Sequence, residues 1–130
     1  MSEQHFSDED WMQLAYAQAA LAAAQGEIPV GAVIVSQNQV IGAGYNAPIS
    51  LHDATAHAEI VAIRAACANI KNYRLPEDAT LYVTLEPCAH YGRTPPCAKG
   101  LVEAGVARVV VACPDPNPLV AGKGVQILEA

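Results

Sequence analysis

The stretch Val30-Gly31-Ala32-Val33-Ile34-Val35 is unbroken by any charged or strongly polar residue, and Val30, Val33, Ile34 and Val35 are β-branched. A strand with one wet face alternates apolar and polar residues. A continuous run marks a strand covered on both faces. The rest of the chain must therefore supply helices for both sides of a sheet, and its elements alternate accordingly. Ser7 followed by Asp10 reads as a capping box that opens a helix running through about residue 25. Trp11, Leu14, Ala15 and Leu21 give that helix a modest apolar face, and Gly26 ends it. The acidic run Asp8-Glu9-Asp10 suits the positive end of a helix and reads as a solvated start. After the buried run, the polar turn Ser36-Gln37-Asn38-Gln39 leads into a returning strand over 40–46, which makes a hairpin.

A loop over 47–56 holds Pro48, His52, Asp53 and Thr55. Residues 57–69 then read as a helix with Ile60, Ile63 and Cys67 on one stripe. Residues 79–84 form a further strand, ending at Leu85-Glu86-Pro87-Cys88. Pro95 and Pro96 lead into a short helix over 98–104 stopped by Gly105, and 106–112 is the last clear strand. The Pro- and Gly-rich segment 114–124 reads as an ordered loop or lid, and 125–128 as a short edge strand. This order predicts an α/β fold with a mixed sheet and helices on its faces, organised as one domain over 1–130.

Seven basic residues against thirteen acidic ones give a net charge of −6. The pI of about 5.0 argues against a polyanion partner, since phosphate neutralisation needs a basic face. No apolar run is long enough to span a bilayer. The small apolar segment 19–24 follows acidic rather than basic residues, so no secretory leader is expected and the expected location is cytoplasmic. Without an export signal, cysteines beside a His motif point to metal before disulfide. Of Cys67, Cys88, Cys97 and Cys113, the first and last sit in apolar surroundings and read as small buried hydrophobes.

Three short segments carry chemistry: His57-Ala58-Glu59, Pro87-Cys88 and Pro96-Cys97. His57, Cys88 and Cys97 are each expected at or just before a helix N-terminus, where free N–H groups favour thiolates. One imidazole and two thiolates occupy three positions of a tetrahedral Zn2+ and leave the fourth for water, as in catalytic sites. Zinc brings the pKa of such a water to about 7. Glu59 in the first turn could lean over the metal without binding it, and carry a proton from water to a leaving nitrogen. A His-x-Glu pair alone occurs by chance in any protein, and two cysteines alone could be core residues. A zinc closed by His90 as fourth ligand, or no metal at all, are the competing readings. Otherwise His90 lines the pocket or faces solvent.

The conjunction of these segments resembles the cytidine-deaminase-like superfamily. Residues 1–88 are similar to the bacterial tRNA-adenosine deaminases, through Glu27-Ile28-Pro29-Val30-Gly31-Ala32-Val33, Gly44-Tyr45-Asn46, Asp53-Ala54-Thr55-Ala56-His57-Ala58-Glu59-Ile60 and Asn72-Tyr73-Arg74-Leu75. Residues 86–124 instead resemble the deaminase domain of the bifunctional riboflavin-biosynthesis deaminase/reductases. The matching text there is Glu86-Pro87-Cys88-Ala89-His90-Tyr91-Gly92-Arg93-Thr94-Pro95-Pro96-Cys97 and Asp115-Pro116-Asn117-Pro118-Leu119-Val120-Ala121-Gly122-Lys123-Gly124. The two patterns meet at the shared Glu-Pro-Cys, as in a natural or engineered chimera. Cys97 lies nine positions after Cys88, where the compact signature of these enzymes has Cys-x-x-Cys.

The resemblance implies a three-layer α/β/α sandwich with a five-stranded mixed sheet, the zinc roles above, and a homodimer. It also implies that Asn46 contacts the substrate, that Pro29 and Val30 line the pocket, and that His90 and the 114–124 loop lie near the substrate. The C-terminal helical segment of the tRNA enzymes and the reductase domain of the riboflavin enzymes are expected to fall outside these residues. The expected activity is hydrolytic conversion of a ring C–NH2 to C=O with release of ammonia. The substrate would be a nucleobase, nucleoside or aminopyrimidine nucleotide. The alternatives are A-to-inosine editing of tRNA, which the charge disfavours, and an inert zinc-holding scaffold.

Overall fold

The computed structural model describes residues 6–85 and 104–112. Its elements run α1 (Asp8–Ala24), β1 (Gly31–Ser36), β2 (Gln39–Tyr45), α2 (Ala58–Ile70), β3 (Thr80–Val83) and β4 (Arg108–Val111). The sheet order is β2-β1-β3-β4, with β1 antiparallel to both neighbours and β3 parallel to β4. These are four strands of the expected mixed sheet; the fifth candidate, 125–128, lies outside the described residues, as do the 114–124 loop and all but Ala104 of the third helix. Among the described residues, no helix is long and apolar enough to cross a membrane.

Every residue of β1 is buried, as its unbroken apolar run predicts. Its side chains divide between two cores. Ala32 and Ile34 join Leu81 and Val83 of β3 against Ala58, Ala62 and Ala66 of α2. Val33, Val35 and Tyr82 face the other way, against Trp11, Met12 and Ala15 of α1. Among the described residues, one helix therefore covers each side of the sheet. The hairpin turn is tighter than the four-residue expectation: Ser36 pairs with Gln39, and Gln37 and Asn38 both take positive φ, 51° and 61°. Two left-handed residues match the right-handed twist of the flanking strands. The register shifts between Ile34 and Val35, leaving Ile41 as the extra residue of a β-bulge.

The apolar face expected of α1 needs correction. Trp11 and Ala15 are buried, but Leu14 and Leu21 are 44% and 48% exposed. The buried set is Trp11, Met12, Ala15, Ala19 and Ala22. The cause lies in β1: a Cβ on Gly31 would meet the Ala15 carbonyl oxygen and the Ala19 nitrogen. The helix backbone rests on the strand there, and only alanine fits. The same device recurs on the other face, where a Cβ on Gly44 would lie 2.6 Å from the Ala62 nitrogen and 2.7 Å from the Val61 Cβ. In α2 the alanines at 58, 62 and 66 accordingly lie deepest, while the expected stripe residues Ile63 and Cys67 pack beside that core, only partly buried. The acidic start of α1 is also more than solvated. Asp8 accepts from Arg108 at 2.6 Å and from the Tyr82 hydroxyl at 2.8 Å, tying the helix to β3 and β4.

Candidate active site

The ends of β2, β3 and β4 and the beginning of β1 come together at one end of the sheet, because Gly31 pairs with Tyr45, and Val83 pairs with both Ala32 and Val111. Further bonds close that end. The Gly31 N–H donates to the Thr84 hydroxyl at 3.1 Å, and the Thr84 N–H returns to the Gly31 carbonyl at 3.0 Å. The Asn46 N–H donates to the Val30 carbonyl at 3.0 Å. The Ala47 N–H reaches the Ala56 carbonyl at 2.9 Å, which brings the end of β2 beside the start of α2.

His57 is the N-cap of α2, with extended backbone (φ −77°, ψ 153°), and its side chain makes no capping bond to the helix. Its carbonyl starts the helix by accepting the Val61 N–H at 2.9 Å. Glu59 stands in the first turn and is only 4% exposed. A carboxylate there lies at the positive end of the helix dipole, within the turn where the backbone N–H groups lack helical partners.

Of the expected pocket residues, Asn46 is buried at this end and joined through its backbone to Val30. Val30 is buried too, but as part of the core beneath α2. Pro29 is exposed. Cys88, Cys97 and His90 lie outside the described residues.

Two anchors that sequence reasoning did not single out hold the loop between Asn46 and His57. The first is Glu27, buried, whose carboxylate accepts from the Ser50 N–H and hydroxyl, each at 2.7 Å, and from the Ile49 N–H at 3.4 Å. Desolvation alone would raise the pKa of Glu27, but these hydrogen bonds together outweigh it and hold the carboxyl below its ordinary value. The second is Asp53, which accepts from the Thr55 hydroxyl at 2.6 Å, the Thr55 N–H at 2.9 Å and Arg64 at 2.9 Å. The Thr55 bonds, then Arg64, bring its pKa down to about 2. Asp53-x-Thr55 is the spacing of an Asx-turn and was readable as such. The Glu27 bonds join residues far apart in the chain and left no local signal.

A family model described as the cytidine and deoxycytidylate deaminase zinc-binding region matches residues 6–113. The chain belongs to that family. Members of that family are zinc-dependent hydrolytic deaminases acting on C–N bonds. The riboflavin biosynthesis protein RibD of Haemophilus influenzae is 52% identical over 99 residues, 76% of this chain and 24% of that protein. The tRNA-specific adenosine deaminase of Buchnera aphidicola is 46% identical over 103 residues, 79% of this chain and 64% of its own length. Among solved structures, a tRNA:A34 deaminase studied for A-to-I editing superposes with a TM-score of 0.79 at 38% identity, covering 92% of this chain and 82% of that one. The chain thus spans about a quarter of the length of its RibD relatives. Both resemblances read from the sequence are recovered, and so is the α/β fold.

Proposed function

We propose that this deaminase removes the amino group from a small aminated heterocycle, with an aminopyrimidine nucleotide as the leading substrate class. The observation that carries the reading is the start of α2: a histidine at the N-cap, and two residues on a carboxylate sealed at 4% exposure. Zinc is the metal of the family. Cys88 and Cys97, in the segment that follows Thr84, supply the two thiols of the proposed donor set. Cys88 lies four residues beyond Thr84, a span of at most about 14 Å for extended chain. One imidazole and two thiols are donors of the right chemistry for a site with an open position.

In this reading His57, Cys88 and Cys97 hold the metal. When bound, zinc supplies Lewis acidity and a water acidified to a pKa of about 7. Glu59, in the first turn of α2, would accept a proton from the attacking water and pass it to the departing amine. Asn46 anchors the ring, Val30 supports the pocket floor from the core, and Pro29 and His90 form its rim. The reaction balances as addition of water to the ring carbon and loss of ammonia, leaving a carbonyl.

Support for the aminopyrimidine class comes from the Glu86–Cys97 text and from the 52% identity to a riboflavin biosynthesis protein. A second reading, editing of a flipped-out tRNA adenosine, is favoured by residues 1–88 and by the 82% coverage of the tRNA:A34 deaminase. A homodimer and a cytoplasmic location complete the proposal. The test is ammonia release from a panel of aminopyrimidine nucleotides, free nucleobases, nucleosides and tRNA. Turnover of the small ring without inosine in tRNA is the expected outcome, and the converse result makes the second reading the right one. One zinc per chain with no ammonia from any substrate would establish the inert scaffold.

A further inference from the structure

Arg64 lies two helical turns beyond the N-cap of α2, and its guanidinium reaches back over the helix to the loop that precedes it. Nη1 donates to Asp53 Oδ2 at 2.9 Å, while Nη2 donates to Thr55 Oγ1 at 2.9 Å. Asp53 Oδ1 in turn accepts both the Thr55 hydroxyl, at 2.6 Å, and the Thr55 N–H, at 2.9 Å. Thr55 passes the restraint on, because its carbonyl accepts the His57 N–H at 2.8 Å. Asp53 also fixes the intervening residue, its own carbonyl accepting the Ala56 N–H at 3.0 Å. Every residue from Asp53 to His57 except Ala54 is thereby hydrogen-bonded within the turn or to α2.

We propose that Arg64, Asp53 and Thr55 form a positioning clamp that presets the backbone of His57 for the metal before the metal arrives. The clamp rests on the reading of His57 as a zinc ligand. Its exposure argues against a role in overall stability: the Arg64 and Asp53 side chains are 56% and 34% exposed, and such ion pairs contribute little to folding. The same fold holds a somewhat more exposed counterpart in Arg108 and Asp8, at 56% and 45%, which grips the start of the other helix. The two pairs differ in what they hold. Arg108 and Asp8 join α1 to the sheet. Arg64 and Asp53 join α2 to its own N-cap, so one rigid helix carries both Glu59 and the restraint on His57. A fork that bridges a carboxylate and a hydroxyl is a task for arginine, since a single ammonium acts as a point charge.

The test is the affinity of the apoprotein for Zn2+, measured by competition with a coloured chelator. Arg64→Ala is expected to weaken zinc binding up to about tenfold, the lower end of the cost of losing a direct outer partner of a metal ligand, because it acts on His57 through Thr55. Arg64→Lys recovers part of the loss, Thr55→Val reproduces most of it, and Thr55→Ser keeps the wild-type value. Arg108→Ala is the control; it removes the other exposed arginine–aspartate pair and should leave zinc affinity unchanged. Equal affinities in Arg64→Ala and Arg108→Ala, with Thr55→Val also at the wild-type value, overturn the clamp. His57→Ala separates the layers of the argument. If it too binds zinc as tightly as wild type, the metal-site reading beneath the proposal fails. If it loses zinc while the Arg64 and Thr55 variants do not, the clamp alone fails.

Discussion

Helices α1 and α2 cover opposite faces of one sheet, both pack alanine against strand glycine, and they begin in opposite ways. At α1, Ser7 accepts the Asp10 N–H at 3.3 Å and Asp10 accepts the Ser7 N–H at 2.9 Å, so the first turn is closed by its own side chains. At α2 the N-cap is a histidine that makes no such bond, and the nearby acid is buried. Packing cannot account for the contrast, because the packing solution is the same on both sides. A Ser, Thr, Asp or Asn cap contributes about 0.5–2 kcal/mol to a helix. The second helix forgoes that contribution at the position proposed above as a metal ligand, and the preceding loop is held instead by the buried Glu27 carboxylate, through Ser50 and Ile49.

The largest effect that bears on this contrast is expected from Glu59→Ala. If α2 begins as a reaction centre, kcat falls about 10²–10⁴-fold while bound zinc stays at one per chain. Full activity in the variant would erase the functional side of the comparison. Next come the glycines beneath the helices. Gly31→Ala pushes on the backbone of α1, and Gly44→Ala would set its Cβ 2.8 Å from the Ala58 carbonyl oxygen at the first turn of α2. Each should lose about 1–3 kcal/mol by overpacking, read from chemical denaturation. Only Gly44→Ala should also weaken zinc binding under conditions where both are folded. Equal zinc affinity in the two would mean that the start of α2 is no more sensitive than that of α1.

Exchanging the caps gives a smaller and more pointed test. Ser7→Ala should cost about 1 kcal/mol and leave turnover untouched. His57→Ser should do the reverse, raising the stability of the apoprotein by a few tenths to about 1 kcal/mol while zinc binding is lost. A stability loss in His57→Ser comparable to that of Ser7→Ala would show that the histidine serves the helix after all.

Much of this contrast is legible without coordinates, and the illegible part has a physical cause. The β1 run, the Ser7–Asp10 box and the helix beginning after His57 are local patterns, fixed by neighbours within four residues, and each is found where the sequence places it. Leu14 and Leu21 mislead because leucine is the more hydrophobic residue, whereas the glycine at 31 selects the smaller one through an approach between separate elements. Arg64 gives no signal for a related reason. A charged residue midway along a helix reads as solvated, and nothing in its spacing tells that its side chain doubles back to Asp53. Glu59 was legible as a candidate from its place beside His57, while its burial had to be seen.

The smallest expected effect concerns the ionisable groups that tie α1 to the sheet. Burial, then the bond to Asp8, pushes the Tyr82 phenol up to about 12, and the bonds from Arg108 and Tyr82 hold Asp8 below its ordinary value. The signs are opposite. A raised phenol contributes stability in full below the unfolded value of about 10, and loses it as pH rises through about 12. A lowered carboxyl contributes above the unfolded value of about 4 and loses its share as pH falls. Both groups sit far from neutrality, so between about pH 5 and 9 the knot should be constant and any pH dependence of turnover should come from the α2 end. Ultraviolet titration of the phenols should show one late step that Tyr82→Phe removes and Asp8→Asn moves earlier. Zinc affinity and the neutral part of the pH–rate profile should be unchanged in both variants. A shift of that profile in Asp8→Asn would mean that the two helix starts are coupled through the sheet, and that the division between an anchoring end and a reacting end is too sharp.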